Sequence, residues 1–424
     1  MDPLDGQVDL HTHSNFSDGE LTPTELVRRA KELGLWSISL TDHDNVDGLA
    51  EAVGAGFAEG VEVIPGVELS VEYRAMKDIH LLGYYVDWRS EVMRQRLRNF
   101  QEVRESRGEK ILQRINVHLI RQGLRAIDYA EVRALARGSV GRPHIAQKLV
   151  EHGVAAGVND AFDRYLVPFD VPKAYFTPAE AVEIIGAARG IVALAHPMVF
   201  TKDRGLLEQV VSEFKELGIL ALEAYYGDFT PSEISACRQI ARQHGLVATG
   251  GSDYHGKGFP FQLGRLRDGR AIPYQVVRDL RRAYFQRYPV LIAVCGLRAS
   301  LGEALVREAA LDIGADSSSN ALAASSGGRS SSCGKERSLV TLLAADDIKA
   351  ERSLAECAQR AGLVPCVVRC DRDLPRAAVQ PEGDWGQARP GTVPLRIFLD
   401  GRQMRSEPPE VAAQRLLHAV ALFL

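Results

Sequence analysis

Val8-Asp9-Leu10-His11-Thr12-His13-Ser14-Asn15-Phe16-Ser17-Asp18-Gly19 opens as an apolar strand and ends in a polar turn. In a strand, side chains two apart point the same way, so His11 and His13 can reach one ion together. Asp18 follows five residues after His13, on a loop short enough to fold back over the pair. The same grammar, metal-binding residue types beside a short apolar run, recurs at Thr41-Asp42-His43-Asp44, Gly66-Val67-Glu68, Ile79-His80, Ala195-His196-Pro197 and Ser252-Asp253-Tyr254-His255. The candidate ligands are His11, His13, Asp18, His43, Glu68, His80, His196, Asp253 and His255.

A single histidine at a strand end is ordinarily a hydrogen-bonded loop residue. Here six of 11 histidines stand at such positions, with three carboxylates among them. Strand C-termini of a βα barrel converge on one face, where residues distant in sequence meet. Carboxylates and imidazoles packed that closely need cations between them. The pattern therefore predicts a hydrolase with several metal ions. Nitrogen and oxygen donors without thiolate suit Mn, Fe or Zn.

The alternation around these motifs predicts the fold. Strands are expected at Val8–Leu10, Trp36–Leu40, Val61–Ile64, Ile79–Val86, Ile191–Leu194, Leu220–Ala224 and Leu246–Thr249. Amphipathic helices are expected at Thr24–Leu33, Ala179–Ala188, Leu206–Leu217 and Ser232–His244. Thr22-Pro23-Thr24-Glu25 and Thr177-Pro178-Ala179-Glu180 read as capped helix starts, while Gly34 and Gly218 read as stops. Alternating strand and helix implies a parallel sheet or barrel.

The alternation breaks over residues 90–176, a polar helical insert with Gly123 and Gly138 as expected interruptions. From Arg89 to Glu151 it carries 14 Lys and Arg against seven Asp and Glu, which suggests a surface that attracts anions. Beyond Pro289 the character changes again. Strands at Val290–Val294, Leu339–Ala344, Val364–Val368 and Leu395–Leu399, with helices at Leu301–Ala310, Ile348–Ala361 and Glu410–Phe423, predict an α/β appendage over 290–424. A Ser-rich segment over about 314–336, with eight serines from Ser317 to Ser332, reads as a disordered linker. Cys366 and Cys370 read as core thiols.

A net charge of −4 gives no global reason to expect nucleic-acid binding. The acidic start Met1-Asp2-Pro3-Leu4-Asp5-Gly6 lacks a targeting pattern. No apolar run nears the ~18 residues of a membrane span. Six cysteines without paired CxxC spacing predict reduced thiols and a cytoplasmic setting.

These motifs, in this order, resemble the PHP (polymerase and histidinol phosphatase) superfamily of metal-dependent phosphoesterases, over roughly residues 6–285. The insert with Gly141-Arg142-Pro143-His144 is similar to the branch of nucleoside 3′,5′-bisphosphate phosphatases and a 5′-to-3′ exoribonuclease. The resemblance implies an α/β fold, a distorted (βα)7 barrel over 1–289, holding two or three divalent ions, Mn foremost. His11, His13, Glu68 and Asp253 would hold the first, Glu68, His80 and His196 the second, and Asp18, His43 and His255 the third. Hydroxide formed on the ions would attack phosphorus, with no protein general acid assigned.

Arg142 and, second to it, Lys173 are the expected substrate contacts, because guanidinium grips phosphate with two bonds and a helix start favours anions. Asp42 and Asp44 flank a ligand and are expected to orient it. Tyr225 and Tyr226 are candidates to line the cleft or to pack. The implied substrate is a small phosphorylated nucleotide or short oligonucleotide. The alternatives are a phosphatase of another metabolite, such as histidinol phosphate, and a metal-filled scaffold without turnover.

Overall fold

A computed structural model describes residues 7–288, apart from Ala75, residues 136–139, Lys173 and Gly258, together with four strands between 290 and 400. The expected helices at 301–310, 348–361 and 410–423, the Ser-rich segment and the break at Gly138 lie outside the described residues.

The barrel is built from β1 (Gln7–Thr12), α1 (Pro23–Glu32), β2 (Leu35–Leu40), α2 (Leu49–Glu59), β3 (Glu62–Tyr73) and β4 (Met76–Tyr84). The insert follows as α3 (Glu91–Arg121), α4 (Tyr129–Arg133), α5 (Arg142–Glu151), α6 (Val158–Ala161) and a π-helical turn at Phe162–Leu166. The chain then returns through α7 (Pro178–Ala187), β5 (Ile191–Leu194), α8 (Pro197–Phe200), α9 (Arg204–Leu217), β6 (Ala221–Tyr226), α10 (Pro231–Gln243), β7 (Val247–Gly251), β8 (Ile272–Pro273) and α11 (Gln275–Arg287). Helices α2 and α11 go beyond the sequence reading.

Local chemistry starts and stops these helices where expected. Thr22 accepts from the Glu25 N–H while Glu25 reaches back to the Thr22 backbone, and Thr177 and Glu180 do the same. Gly34 and Gly218 end their helices with φ of +73° and +119°, a region that favours glycine.

The eight strands run in the order β7-β6-β5-β4-β3-β2-β1-β8. β1, β2 and β3 are mutually parallel, as are β5, β6 and β7. β4 is the exception, antiparallel to both β3 and β5. Closure comes from the chain after β7. Asp253 N–H donates to the His11 carbonyl at 2.9 Å, and His13 N–H to the Tyr254 carbonyl at 2.9 Å. A Cβ on Gly251 would stand 2.2 Å from the Cβ of His11, so only glycine allows this approach.

β5 is buried along its whole length, as a strand covered on both faces must be. The insert has a core of its own, in which Ile111, Leu112, Ile115 and Leu119 of α3 meet Ile145, Leu149 and Tyr165. Each fully buried aliphatic side chain there contributes about 1.5–3 kcal/mol, enough to hold the insert as a packed body.

The four further strands are β9 (Val290–Cys295), β10 (Val340–Ala344), β11 (Val364–Asp371) and β12 (Leu395–Asp400). They form a separate parallel sheet in the order β10-β9-β11-β12. Among the described residues no helix is long and apolar enough to cross a membrane.

Candidate metal centre

β1 delivers His11 and His13 to one end of the barrel, both fully buried. The loop after them folds back as expected. Gly19 N–H donates to the Ser14 carbonyl at 2.9 Å. The buried carboxylate of Asp42 accepts from Ser14 N–H at 2.7 Å, Ser14 Oγ at 2.7 Å and Ser17 Oγ at 2.6 Å. That grip brings Asp18 beside His255, with Oδ1 to Nε2 at 3.3 Å. Asp44 accepts from the N–H and Oγ of Ser70, each at 2.9 Å. The two acids thus anchor neighbouring backbone segments rather than the ring of His43.

β3 runs well past its expected end, so Glu68 stands in mid-strand, fully buried. His80 also stands within a strand. Because β4 runs against its neighbours, its first half lies where the parallel strands end. Five imidazoles surround the Glu68 carboxylate. Oε2 lies 3.2 Å from His11 Nε2, 3.3 Å from His13 Nε2 and 3.0 Å from His43 Nδ1. Oε1 lies 2.8 Å from His80 Nδ1 and 3.1 Å from His196 Nε2. Asp253 Oδ1 is 3.1 Å from His13 Nε2 and 3.4 Å from His11 Nε2.

Three groups have donor atoms mutually within 4.8 Å: His11, His13, Glu68 and Asp253; His43, Glu68 and His80; and His13, Asp18, His43 and His255. The first is the set expected for the first ion. In the second, His43 joins Glu68 and His80, while His196 stands 3.2 Å from His80. The third adds His13 to the expected three.

The donor set fits cations. His11 Nε2, both ring nitrogens of His13, His43 Nδ1 and Glu68 Oε2 are buried without a hydrogen-bond partner, although they crowd together. Burial opposes charge on His13, yet the carboxylates of Asp253 and Glu68 beside it prevail and push it up to about 10. His11 is likewise raised against burial, by Glu223, Glu68 and Asp253. For His80 burial wins and its affinity for a proton falls. At His11 and His13 positive charge is thus favoured where cations would be held.

Residues outside the predicted set complete the centre. Glu223, fully buried on β6, lies 3.0 Å from His11 Nδ1 through Oε1 and accepts the His196 N–H at 2.7 Å through Oε2. Asp9 accepts from the N–H groups of Ser252 at 2.8 Å and Gly264 at 2.7 Å, pinning the loop that carries Asp253. Burial raises its carboxyl to about 6, against those hydrogen bonds. The only sequence signal for either was a lone acid in an apolar strand. Tyr226 donates to Asp253 Oδ2 at 2.9 Å, whereas Tyr225 lies under the Arg238 guanidinium. Asp44, His196 and Asp253 adopt φ of +49°, +24° and +59°. Strain of that kind, on the order of 1–3 kcal/mol per residue, gathers at functional sites.

Arg142 opens α5, as expected, but it is engaged: Nη1 lies 3.1 Å from Asp170 Oδ2 and the guanidinium sits over the Phe162 ring. Arg107 shares Asp170 at 2.6 Å. Burial, and then the nearby charges of Arg142 and Arg104, favour loss of the Arg107 proton, with Asp170 opposing. Arg104 in turn pairs with Asp44, next to His43. A file of guanidinium groups thus runs from α5 to the metal centre. His144 accepts the Gly141 N–H at 3.0 Å, a capping role. Lys173 lies outside the described residues.

Residues 9–166 match the sequence model of the family described as PHP domain. The chain is 33% identical over 262 residues to the 5′-3′ exoribonuclease Rnm of Escherichia coli K12, covering 61% of this chain and 88% of that protein. It is 31% identical over 258 residues to the 3′,5′-nucleoside bisphosphate phosphatase of Chromobacterium violaceum, covering 59% and 88%. A solved protein of Bifidobacterium adolescentis, provisionally described as a metal-dependent phosphoesterase, aligns with a TM-score of 0.55 at 29% identity. It covers 66% of this chain, which spans 96% of that one.

Proposed function

This chain belongs to the PHP family of metal-dependent phosphoesterases, and on that premise we propose that it hydrolyses nucleoside 3′,5′-bisphosphates or short 5′-phosphorylated oligonucleotides. The observation that carries the proposal is the Glu68 carboxylate, fully buried with nitrogens of five imidazoles within 3.3 Å of its two oxygens.

In this reading His11, His13, Glu68 and Asp253 hold one divalent ion. Glu68 and His80, with His43 or His196, hold a second, and Asp18, His43 and His255 hold a third. Mn is the proposed metal, with Fe or Zn compatible with the same donors. When bound, the ions supply positive charge to the phosphoryl oxygens and acidify water at neutral pH.

The protein's own groups do the rest. Glu223 holds the His11 ring, so that Nε2 faces the ions. Tyr226 fixes Asp253 by donating to its outer oxygen. Arg142, released from Asp170, takes the non-reacting phosphate through a bidentate contact, and Lys173 is proposed as its partner. Residues 1–289 form the catalytic unit, with the insert over 90–176 supplying the anion-binding side, and 290–424 form an appendage. A 1–289 chain that folds, binds metal and stays inactive would overturn that division.

We place the enzyme in the cytoplasm, where its substrates lie and thiols such as the buried Cys237 stay reduced. The test is release of phosphate or mononucleotide from pAp, 5′-phosphorylated short RNA and DNA, and simple sugar phosphates, with Mn present. Turnover confined to the sugar phosphates would move the activity to metabolite phosphatases. Inertness of a metal-loaded preparation on all of them would leave a scaffold.

A further inference from the structure

Phe259 is an apolar ring held at the rim of the metal centre. It is 44% exposed, and it stacks on the His255 ring with centroids 4.8 Å apart and planes 24° from parallel. His255 in turn stacks on buried His13 at 4.1 Å. The three rings form a column that starts inside the ligand cluster and ends at solvent. One face of Phe259 is taken by His255, and its exposure lies on the rest of the ring.

The backbone at His255 and Lys257 is anchored to Glu20. Glu20 N–H donates to the His255 carbonyl at 2.7 Å, and Lys257 N–H to Glu20 Oε2 at 2.9 Å. Gly256 sits at φ +139°, and a Cβ there would meet Glu20 Cδ at 2.4 Å, so no larger residue fits without displacing that anchor. Phe259 N–H then donates to the Gly256 carbonyl at 3.3 Å. An aromatic ring already stacked on His255, with its backbone N–H bonded, has given up part of the freedom that binding would cost it.

From these observations we infer that Phe259 is the base-stacking surface of the site, selecting substrates that carry a planar nucleobase. The inference rests on the proposed nucleotide reading and deepens it. A phosphate at the metal centre places the rest of its nucleotide within one or two ring widths. Arg104, at the head of the arginine file, pairs with Asp44 beside His43, and Phe259 stacks on His255, so the donor group that contains both histidines is flanked by a charged side and by an apolar ring. The charged side suits the second phosphate, and the apolar ring suits the base. Every base has a π face, so the contact favours nucleotides over sugar phosphates without choosing among the four bases.

The experiment compares pAp with its abasic counterpart, ribose 3,5-bisphosphate, on the full-length Mn-loaded protein, using Phe259→Leu, Phe259→Trp and wild type. Leucine keeps the apolar cover over His255 and removes the π face. The expected result is a wild-type preference for pAp in kcat/KM that falls about 5- to 150-fold in Phe259→Leu, chiefly through KM, and is restored in Phe259→Trp. Bound metal, measured by elemental analysis, stays at the wild-type level in both variants.

Equal losses on both substrates, or lost metal, would make Phe259 a shield for His255 and overturn the inference. A preference for pAp that survives in Phe259→Leu would put the base elsewhere while leaving the nucleotide reading intact. A wild-type enzyme with no preference, or with no activity on either compound, would remove the nucleotide reading and this inference with it.

Discussion

The Glu223 carboxylate lies 3.0 Å from Nδ1 of His11, and neither side chain has any exposed surface. They are 212 residues apart in the chain and meet only because β6 and β1 belong to one closed barrel. A carboxylate on the far nitrogen of an imidazole sets its tautomer and orientation and makes it a better ligand.

Glu223→Gln keeps the shape and removes the charge. Metal affinity or activity should fall about 10- to 100-fold, the usual consequence of losing such a partner. Mn titration followed by activity at saturating Mn checks it. Wild-type values in both would make Glu223 only a support for the His196 backbone.

Glu68→Gln should be more severe, because Glu68 touches two of the three donor groups. Bound metal should drop by at least one equivalent, and kcat should fall on the order of 100-fold or more, since each ion contributes several kcal/mol. Elemental analysis with the pAp assay decides it. Full metal content together with an unaltered rate would remove Glu68 from the site.

Metal binding should release protons. In the metal-free protein the His13 imidazole is pushed up to about 10, from an ordinary 6.5. A raised histidine contributes its stability fully below 6.5 and loses it as pH rises through 10. Ligation needs the neutral ring, so Mn affinity should climb with pH across that window, and binding near pH 8 should expel at least one proton. Calorimetry in buffers of different ionisation enthalpy reads the number directly. Heat that does not depend on the buffer would contradict it.

Arg142→Ala should separate substrates. The reacting phosphate belongs to the metal centre, whereas Arg142 is proposed to hold a neighbouring one, a charge-assisted contact worth roughly 1.5–3 kcal/mol. That predicts a loss of about 10- to 150-fold in kcat/KM for pAp and little change for an aryl phosphate. Lysine should restore only part, lacking the planar fork. Equal loss on both substrates would mean that Arg142 supports the fold through Asp170 instead.

Much of this was readable along the chain. The two-residue spacing of His11 and His13, the Thr-Pro-X-Glu helix starts at Thr22 and Thr177, and the glycine stops at Gly34 and Gly218 are local patterns, set by side-chain alternation, hydrogen bonding within four residues and backbone sterics. The strands of the second sheet, β9 to β12, were likewise foreseen close to their observed bounds. What tertiary structure alone decided was which distant groups share a point in space. The reversal of β4 carries His80 to the ligand face from within a strand, and closure of the barrel through Gly251 sets Glu223 against His11. Folding of the insert engages Arg142 with Asp170, 28 residues away. A lone acid in an apolar strand looks the same whether it meets an imidazole or solvent, because its surroundings come from segments hundreds of residues distant, and electrostatic partnership depends on separation in space.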